Sequence, residues 1–137
     1  MEVEVSINED IVVSIDKLHF GEVIDNLISN AIKYSPKGGK ITITAECEDD
    51  EVKVAIKDNG IGMSKEQIEH IFDEFYKADE SRHDFESSGI GLSICRKIIE
   101  KHGGKIWAES PGLGKGSTFY FTLKTVRQSN NILKEKN

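Results

Sequence analysis

The sequence of 137 residues contains little cysteine, has no excess of basic charge and lacks a long apolar run. Its two cysteines, Cys47 and Cys95, match no disulfide framework and no metal-ligand spacing, which favours a reducing compartment. Because 24 Asp and Glu residues outnumber 18 Lys and Arg residues, the net charge of -6 argues against nucleic acid as the main partner. Without a stretch of about 18 apolar residues or a signal-like start, the chain is predicted to be soluble and to make no membrane contact.

The length suits one domain, which we predict to occupy residues 1–125, with a polar tail at residues 126–137. Alternating apolar and polar residues predict hairpins at residues 2–15, at 41–57, and at 105–109 with 117–123. Cys47 falls in the apolar phase of the second hairpin, so we expect it to fill the core.

Apolar residues spaced three or four apart predict three helices. The first is capped by Asp16 and ends before Pro36, and the second is a short helix capped by Ser64. The third runs from Gly89 to Lys101. Three hairpins with three helices predict an α+β two-layer sandwich, in which the helices lie on one face of a mixed sheet.

Asp58 stands at the end of a predicted strand and is followed by Gly60 and Gly62. A carboxylate at this place can accept hydrogen bonds at the floor of a pocket, and the glycines can let a flat ligand approach the backbone. A plain turn is the alternative, because Asp-Asn-Gly is a common turn sequence.

The first predicted helix also carries a polar stripe, which consists of Glu22, Asn26, Asn30 and Lys33 and is flanked by Tyr34. Asparagine oxygens are hard ligands that suit Mg²⁺, lysine supplies a charge for phosphates, and tyrosine offers a flat face to a base. An ordinary solvated helix face would have the same spacing. The stripe alone leaves both interpretations open.

Four segments together resemble the sequence boxes of sensor histidine kinases, in the order and approximate spacing of that family. Residues 26–35 resemble the asparagine box and residues 58–63 the first glycine box, while residues 72–76 resemble the phenylalanine box and residues 88–94 the second glycine box. The resemblance covers about residues 3–124 and implies the Bergerat-type ATP-binding fold of the GHKL superfamily. That fold has a mixed sheet of about five strands with three helices on one face. Histidine kinases share it with gyrase, the ninety-kilodalton heat-shock chaperones and mismatch-repair ATPases.

The resemblance implies that this chain binds ATP and Mg²⁺. Asp58 is expected to accept a hydrogen bond from the adenine amino group, and Asn30, together with Asn26, to hold Mg²⁺. The residues implied to surround the base are Tyr34, Gly60, Ile61, Gly62, Met63 and Leu92. Those implied near the phosphates are Lys33, Lys77, Arg82, Ser88, Gly89, Ile90 and Gly91, of which Lys33 and Arg82 join Asn30 as the catalytic set. Thr118 resembles a position that helps to hold the aspartate, directly or through water.

The phenylalanine box, with Phe72, Phe75 and Tyr76, anchors a mobile lid over the nucleotide in this family. Residues 77–87 are polar and show no helical or strand period, so we predict a mobile loop there. Glu86 and Ser87 stand where the family commonly has glycines. This departure would stiffen the hinge and weaken nucleotide binding, and it is the only support for a non-catalytic regulatory module.

The hydrolysing members of the superfamily carry a glutamate four residues before the metal-binding asparagine. If Asn30 is the ligand, that position is Asn26, which cannot act as a base. A rival register pairs Glu22 with Asn26 and restores a hydrolase-like arrangement, but it leaves residues 31–35 without a counterpart. A histidine kinase is therefore the main hypothesis, and a gyrase- or chaperone-type ATPase is the alternative.

The main hypothesis implies transfer of the γ-phosphoryl group of ATP to a histidine on a separate dimerisation hairpin. None of the four histidines stands in the sequence context of such an acceptor: His19, His70, His83 and His102. We therefore expect a monomeric catalytic domain from a longer kinase, which does not phosphorylate itself. The parent is expected to place this domain in the cytoplasm, whether or not a membrane anchors it, and to act on a response regulator.

Overall fold

The computed structural model describes residues 2–7, 15–35, 38–74 and 91–125. Within these ranges the elements are β1 (Glu2–Ile7), α1 (Lys17–Lys33), β2 (Lys40–Glu48), β3 (Glu51–Asp58), α2 (Lys65–His70), α3 (Gly91–Lys101), β4 (Ile106–Glu109) and β5 (Ser117–Lys124). The predicted tail at residues 126–137 lies outside the described residues, so the domain boundary stays a prediction.

The strands form one mixed sheet of five, in the order β1-β2-β3-β5-β4. The described part of β1 runs parallel to β2, with Val3 opposite Ile41, whereas the other neighbours are antiparallel. The predicted hairpins β2–β3 and β4–β5 are confirmed, as is the mixed sheet with three helices. The return arm of the first predicted hairpin, residues 11–14, lies outside the described residues.

Local capping explains where the first two helices begin. The Asp16 carboxylate accepts the backbone N–H of Leu18 at 2.9 Å and caps α1 as predicted. At α2, the Ser64 hydroxyl accepts from Gln67 N at 3.2 Å, while the Gln67 side chain accepts from Ser64 N at 2.8 Å. This reciprocal pair is a capping box, which satisfies two backbone donors at once.

The core lies between one face of the sheet and the helices. From α1 it takes Val23, Leu27 and Ala31, and from α3 it takes Cys95, Ile98 and Ile99. Alternate residues of β3 and β5 face it, and these include Ile56 and Phe119, which are opposite each other in register. Because the side-chain period of a strand is two, the same inward face continues to Asp58 and Ser117, where the apolar core ends.

The prediction that Cys47 fills the core is wrong, because this residue is exposed. Cys47 is paired with Val52 close to the turn at Asp49–Asp50, at the end of the β2–β3 hairpin. Cys95 is buried on α3.

None of the described helices is long and apolar enough to cross a membrane.

Candidate functional site

A cavity of ≈ 250 Å³ lies between the C-terminal end of α1, helix α2 and the adjoining ends of β3 and β5. The residues that line it are Asn30, Tyr34, Asp58, Ile61, Gly62, Met63, Gln67, Ile71, Leu113, Ser117 and Phe119. Six of these were predicted from the sequence as site residues. The cavity therefore brings the end of the asparagine box to the first glycine box.

Asp58 forms the polar floor of this cavity and is only 3% exposed. Its Oδ1 accepts the backbone N–H of Gly60 at 2.9 Å, and the carboxylate also accepts the backbone N–H of Ser117. Burial raises the pKa of Asp58, while these two hydrogen bonds favour the charged form and limit the rise. No described cation forms an ion pair with Asp58. A carboxylate with this environment is suited to accept a hydrogen bond from a neutral donor in the cavity.

The glycines after Asp58 allow close approach between segments of the protein itself. A Cβ atom on Gly60 would clash with the carbonyl oxygen of Tyr34, which accepts the Ile61 N–H at 2.9 Å. Gly62 has φ of 75°, and a Cβ atom there would clash with the carbonyl oxygen of Gly112. The first glycine box therefore packs closely between the end of α1 and the loop that joins β4 to β5. Gly62 also lines the cavity, whereas Gly60 does not.

The residues of the polar stripe on α1 lie in two different places, some at the cavity and one beside α3. Asn30 and Tyr34 line the cavity, and the Lys33 ammonium lies 5.3 Å from the centre of the Tyr34 ring. Asn26 lies next to α3 instead, near the Cys95 thiol. A Cβ atom on Gly91 would come within 3.1 Å of the Asn26 Oδ1 atom. The second glycine box therefore meets the asparagine box at Asn26, one helical turn from Asn30.

The remaining predicted site residues do not line this cavity or are not described. Leu92 packs at the edge of the core at the start of α3. Thr118 is opposite Lys57 in register and lines a groove on the outer face of the sheet, while its neighbour Ser117 lines the cavity. The predicted residues that lie outside the described part of the chain are Lys77, Arg82, Ser88, Gly89 and Ile90, together with the predicted lid at residues 77–87.

Five lining residues were not among the predicted site residues: Gln67, Ile71, Leu113, Ser117 and Phe119. The alternation of β5 could have identified two of them, because Ser117 and Phe119 share the inward face with Phe121. Ile71 belongs to the apolar edge of the second predicted helix. Leu113 stands in an irregular loop, where no periodic pattern indicates its surroundings.

Residues 15–127 match the family model described as histidine kinase-, DNA gyrase B- and HSP90-like ATPase. The chain belongs to this family. It is therefore an ATP-binding domain, which the resemblance of its four boxes implied.

The similar proteins specify the branch of the family. Sensor histidine kinase WalK of Bacillus subtilis (strain 168) is 42% identical over 119 residues, which are 85% of this chain and 19% of that protein. The structure of the mycobacterial sensor histidine kinase MprB matches 90% of this chain and 83% of that chain, with a TM-score of 0.80 and 26% identity. The catalytic domain of histidine kinase ThkA matches 90% of this chain and 78% of that chain, with a TM-score of 0.76 and 34% identity. These similarities confirm an ATP-binding domain of the histidine kinase type. The chain spans about a fifth of the length of the curated relative.

Proposed function

We propose that this chain binds ATP in the cavity above Asp58 and transfers its γ-phosphoryl group to a histidine on a dimerisation hairpin of the parent kinase. The observation that carries the proposal is a buried carboxylate, 3% exposed, at the floor of a cavity with mostly apolar walls. Such a cavity suits a flat ligand that carries one hydrogen-bond donor at its edge.

Adenine has that chemistry. Its exocyclic amino group donates hydrogen bonds, so it can bond with the Asp58 carboxylate while Ile61, Met63 and Phe119 contact the ring. Guanine presents a carbonyl oxygen at the corresponding edge, which would face a carboxylate that is also an acceptor. The floor of the cavity therefore favours ATP over GTP.

The phosphate end of the nucleotide is assigned to the residues beside Tyr34. Asn30 reaches the cavity from α1 with a carboxamide oxygen, which is a ligand of the kind that Mg²⁺ accepts. Lys33 stands on the next turn with a cationic group, and Asn26 lies beside Gly91 at the start of α3. When bound, Mg²⁺ neutralises phosphate charge. Lys77, Arg82 and residues 88–90 stay predicted phosphate contacts.

Two observations favour a kinase over a hydrolase. The residue four before Asn30 is Asn26, which has no carboxylate to activate water. The rival register would pair Glu22 with Asn26 and leave Asn30, which does line the cavity above Asp58, without a role. In the kinase role the chain positions ATP and neutralises its charge, and a separate hairpin supplies the acceptor imidazole. The parent kinase would act in the cytoplasm and pass the phosphoryl group on to a response regulator.

The test mixes this chain with a histidine-bearing helical hairpin of a sensor kinase and ATP labelled in the γ position. We expect acid-labile label on the hairpin, and none on the chain alone. A hairpin with its histidine replaced by glutamine is the matched control. Rapid release of labelled phosphate by the chain alone, lost in Glu22→Ala, would instead support the hydrolase alternative. Nucleotide binding without either reaction would support the regulatory module.

A further inference from the structure

The loop between β4 and β5 carries an exposed apolar side chain at the mouth of the cavity. We call residues 110–116 the covering loop. Leu113 in this loop is 66% exposed and lines the cavity together with Ile61 and Met63. Single exposed leucines are common on protein surfaces. Leu18, for example, is 83% exposed on the first turn of α1 and has no part in the cavity. The position of Leu113, rather than its exposure, therefore needs an explanation.

Three hydrogen bonds fasten the covering loop to the first glycine box. Gly114 N donates to Ile61 O at 2.6 Å, and Gly116 N donates to Gly60 O at 3.1 Å. The third bond joins Met63 N to the Ser110 hydroxyl at 3.0 Å. The segment that provides one wall of the cavity thus also holds Leu113 in place. A loop fixed in this way positions a side chain more accurately than a free surface turn does.

The Ser110 hydroxyl takes part in several of the hydrogen bonds that hold the covering loop. It accepts the N–H groups of Met63 and Gly112, at 3.0 and 3.2 Å. Its single hydrogen is directed to Gly116 O at 2.6 Å, or alternatively to Gly112 O at 3.2 Å. One hydroxyl therefore connects the glycine box to both ends of the covering loop. No other side chain among the described residues has this arrangement around the cavity.

We propose that Leu113 is a base-contacting residue, which covers one face of the nucleobase, and that Ser110 is the positioning residue that holds it there. This inference rests on the proposed nucleotide-binding function. An isobutyl group that is open to solvent in the free protein loses water contact when a flat ring lies against it. The contact therefore strengthens binding of the base and leaves the phosphates unaffected.

The test compares the affinities of adenosine, ADP with Mg²⁺, and tripolyphosphate with Mg²⁺ by calorimetry. Leu113→Ala should weaken adenosine and ADP by the same factor, about three- to tenfold, which is the size expected for an apolar contact of partial area. Its tripolyphosphate affinity and its thermal midpoint should equal those of the native chain, because the side chain is exposed. Leu113→Met should keep most of the native affinity for adenosine and ADP. Leu18→Ala is the matched control and should leave all three affinities unchanged.

Ser110→Ala should also weaken adenosine and ADP without weakening tripolyphosphate, and Ser110→Thr should bind them better than Ser110→Ala does because it keeps the hydroxyl. A general loss of folded protein would instead reduce all three affinities together. Unchanged adenosine and ADP affinities in Leu113→Ala, or an equal loss for tripolyphosphate, would overturn the inference and leave the proposed function intact. A native chain that binds neither adenosine nor ADP would overturn both.

Discussion

The two ends of the candidate site are built in different ways. The base end continues the core: Asp58 and Ser117 lie at the inward-facing ends of neighbouring strands and are 3% and 6% exposed. The proposed phosphate end consists of partly exposed side chains of α1, such as Asn30 and Lys33. A buried end is held in place by the same packing that folds the domain, whereas an exposed end contributes mainly charge. We therefore expect the proposed base end to determine which nucleotide binds, and the proposed phosphate end to determine whether its phosphoryl group is transferred.

The largest expected effect separates chemistry from base recognition. Asn30→Ala should lower phosphoryl transfer to the histidine hairpin by about 100-fold or more, which is typical for loss of a group that stabilises transition-state charge. Adenosine affinity should stay unchanged, because the base end is intact. The measurement pairs labelled-ATP transfer with adenosine calorimetry. Ser29→Ala, at an exposed neighbour on the same helix, is the control. An equal loss of adenosine affinity would contradict the division into two ends.

The second effect concerns the floor of the cavity. Asp58→Ala should weaken both ATP and adenosine by roughly 1.5–3 kcal/mol, the range for a hydrogen bond to a charged group. Calorimetry of both ligands measures this, with Asp25→Ala as the control at an exposed carboxylate on α1. If ATP weakens while adenosine does not, Asp58 acts on the phosphates and the base end is assigned wrongly.

The third effect uses pH to sharpen the account of Asp58. Burial raises the pKa of Asp58 above the ordinary value of 3.8, so ionisation of this carboxyl is less favourable in the folded protein than in the unfolded chain. The ionised carboxylate therefore lowers folding stability; this penalty is absent below the ordinary pKa and appears as pH rises through the folded-state pKa. Asp58→Asn removes the charge.

The thermal midpoint of Asp58→Asn, measured relative to that of the native chain, should therefore increase as pH rises from about 3 to about 7. Thermal unfolding at a series of pH values measures the difference, and Asp25→Asn serves as the control. A difference that does not change with pH would show that burial imposes no cost on the charge of Asp58.

The smallest effect tests the phosphate end alone. Lys33→Ala should weaken ATP by about three- to tenfold, because an exposed cation near phosphates is partly screened by solvent and salt. Adenosine should bind equally well to both proteins. Lys124→Ala, at the exposed far end of β5, is the matched control and should leave both affinities unchanged. Equal weakening of adenosine would assign Lys33 to the base end, beside the Tyr34 ring.

The parts of the molecule that were predictable are those with local causes. The spacing of apolar residues in α1 and the caps at Asp16 and Ser64 depend on neighbours within a few residues, so the sequence contains the whole signal. The four boxes predicted the family, because their order and spacing carry more information than any one of them. Asp58 was a candidate for the pocket floor because it follows an alternating strand directly.

Other features depend on contacts between distant segments. Cys47 is exposed near the turn of the β2–β3 hairpin, although it continues the alternating pattern in which Ile41 and Ala45 are buried. Leu113 and Ser110 lie in an irregular loop whose position depends on hydrogen bonds to residues about 50 positions earlier, at Ile61 and Met63. Such contacts could not be predicted from periodicity.

The most direct test of the central claim is calorimetry of the native chain with ATP and with GTP, each in the presence of Mg²⁺. The two nucleotides carry the same triphosphate, so a difference in affinity reports on the base end alone. If the Asp58 carboxylate accepts the adenine amino group, GTP should bind at least about tenfold more weakly than ATP, because its carbonyl oxygen would face a buried acceptor. Equal affinities for ATP and GTP would contradict the assignment of Asp58 to the base.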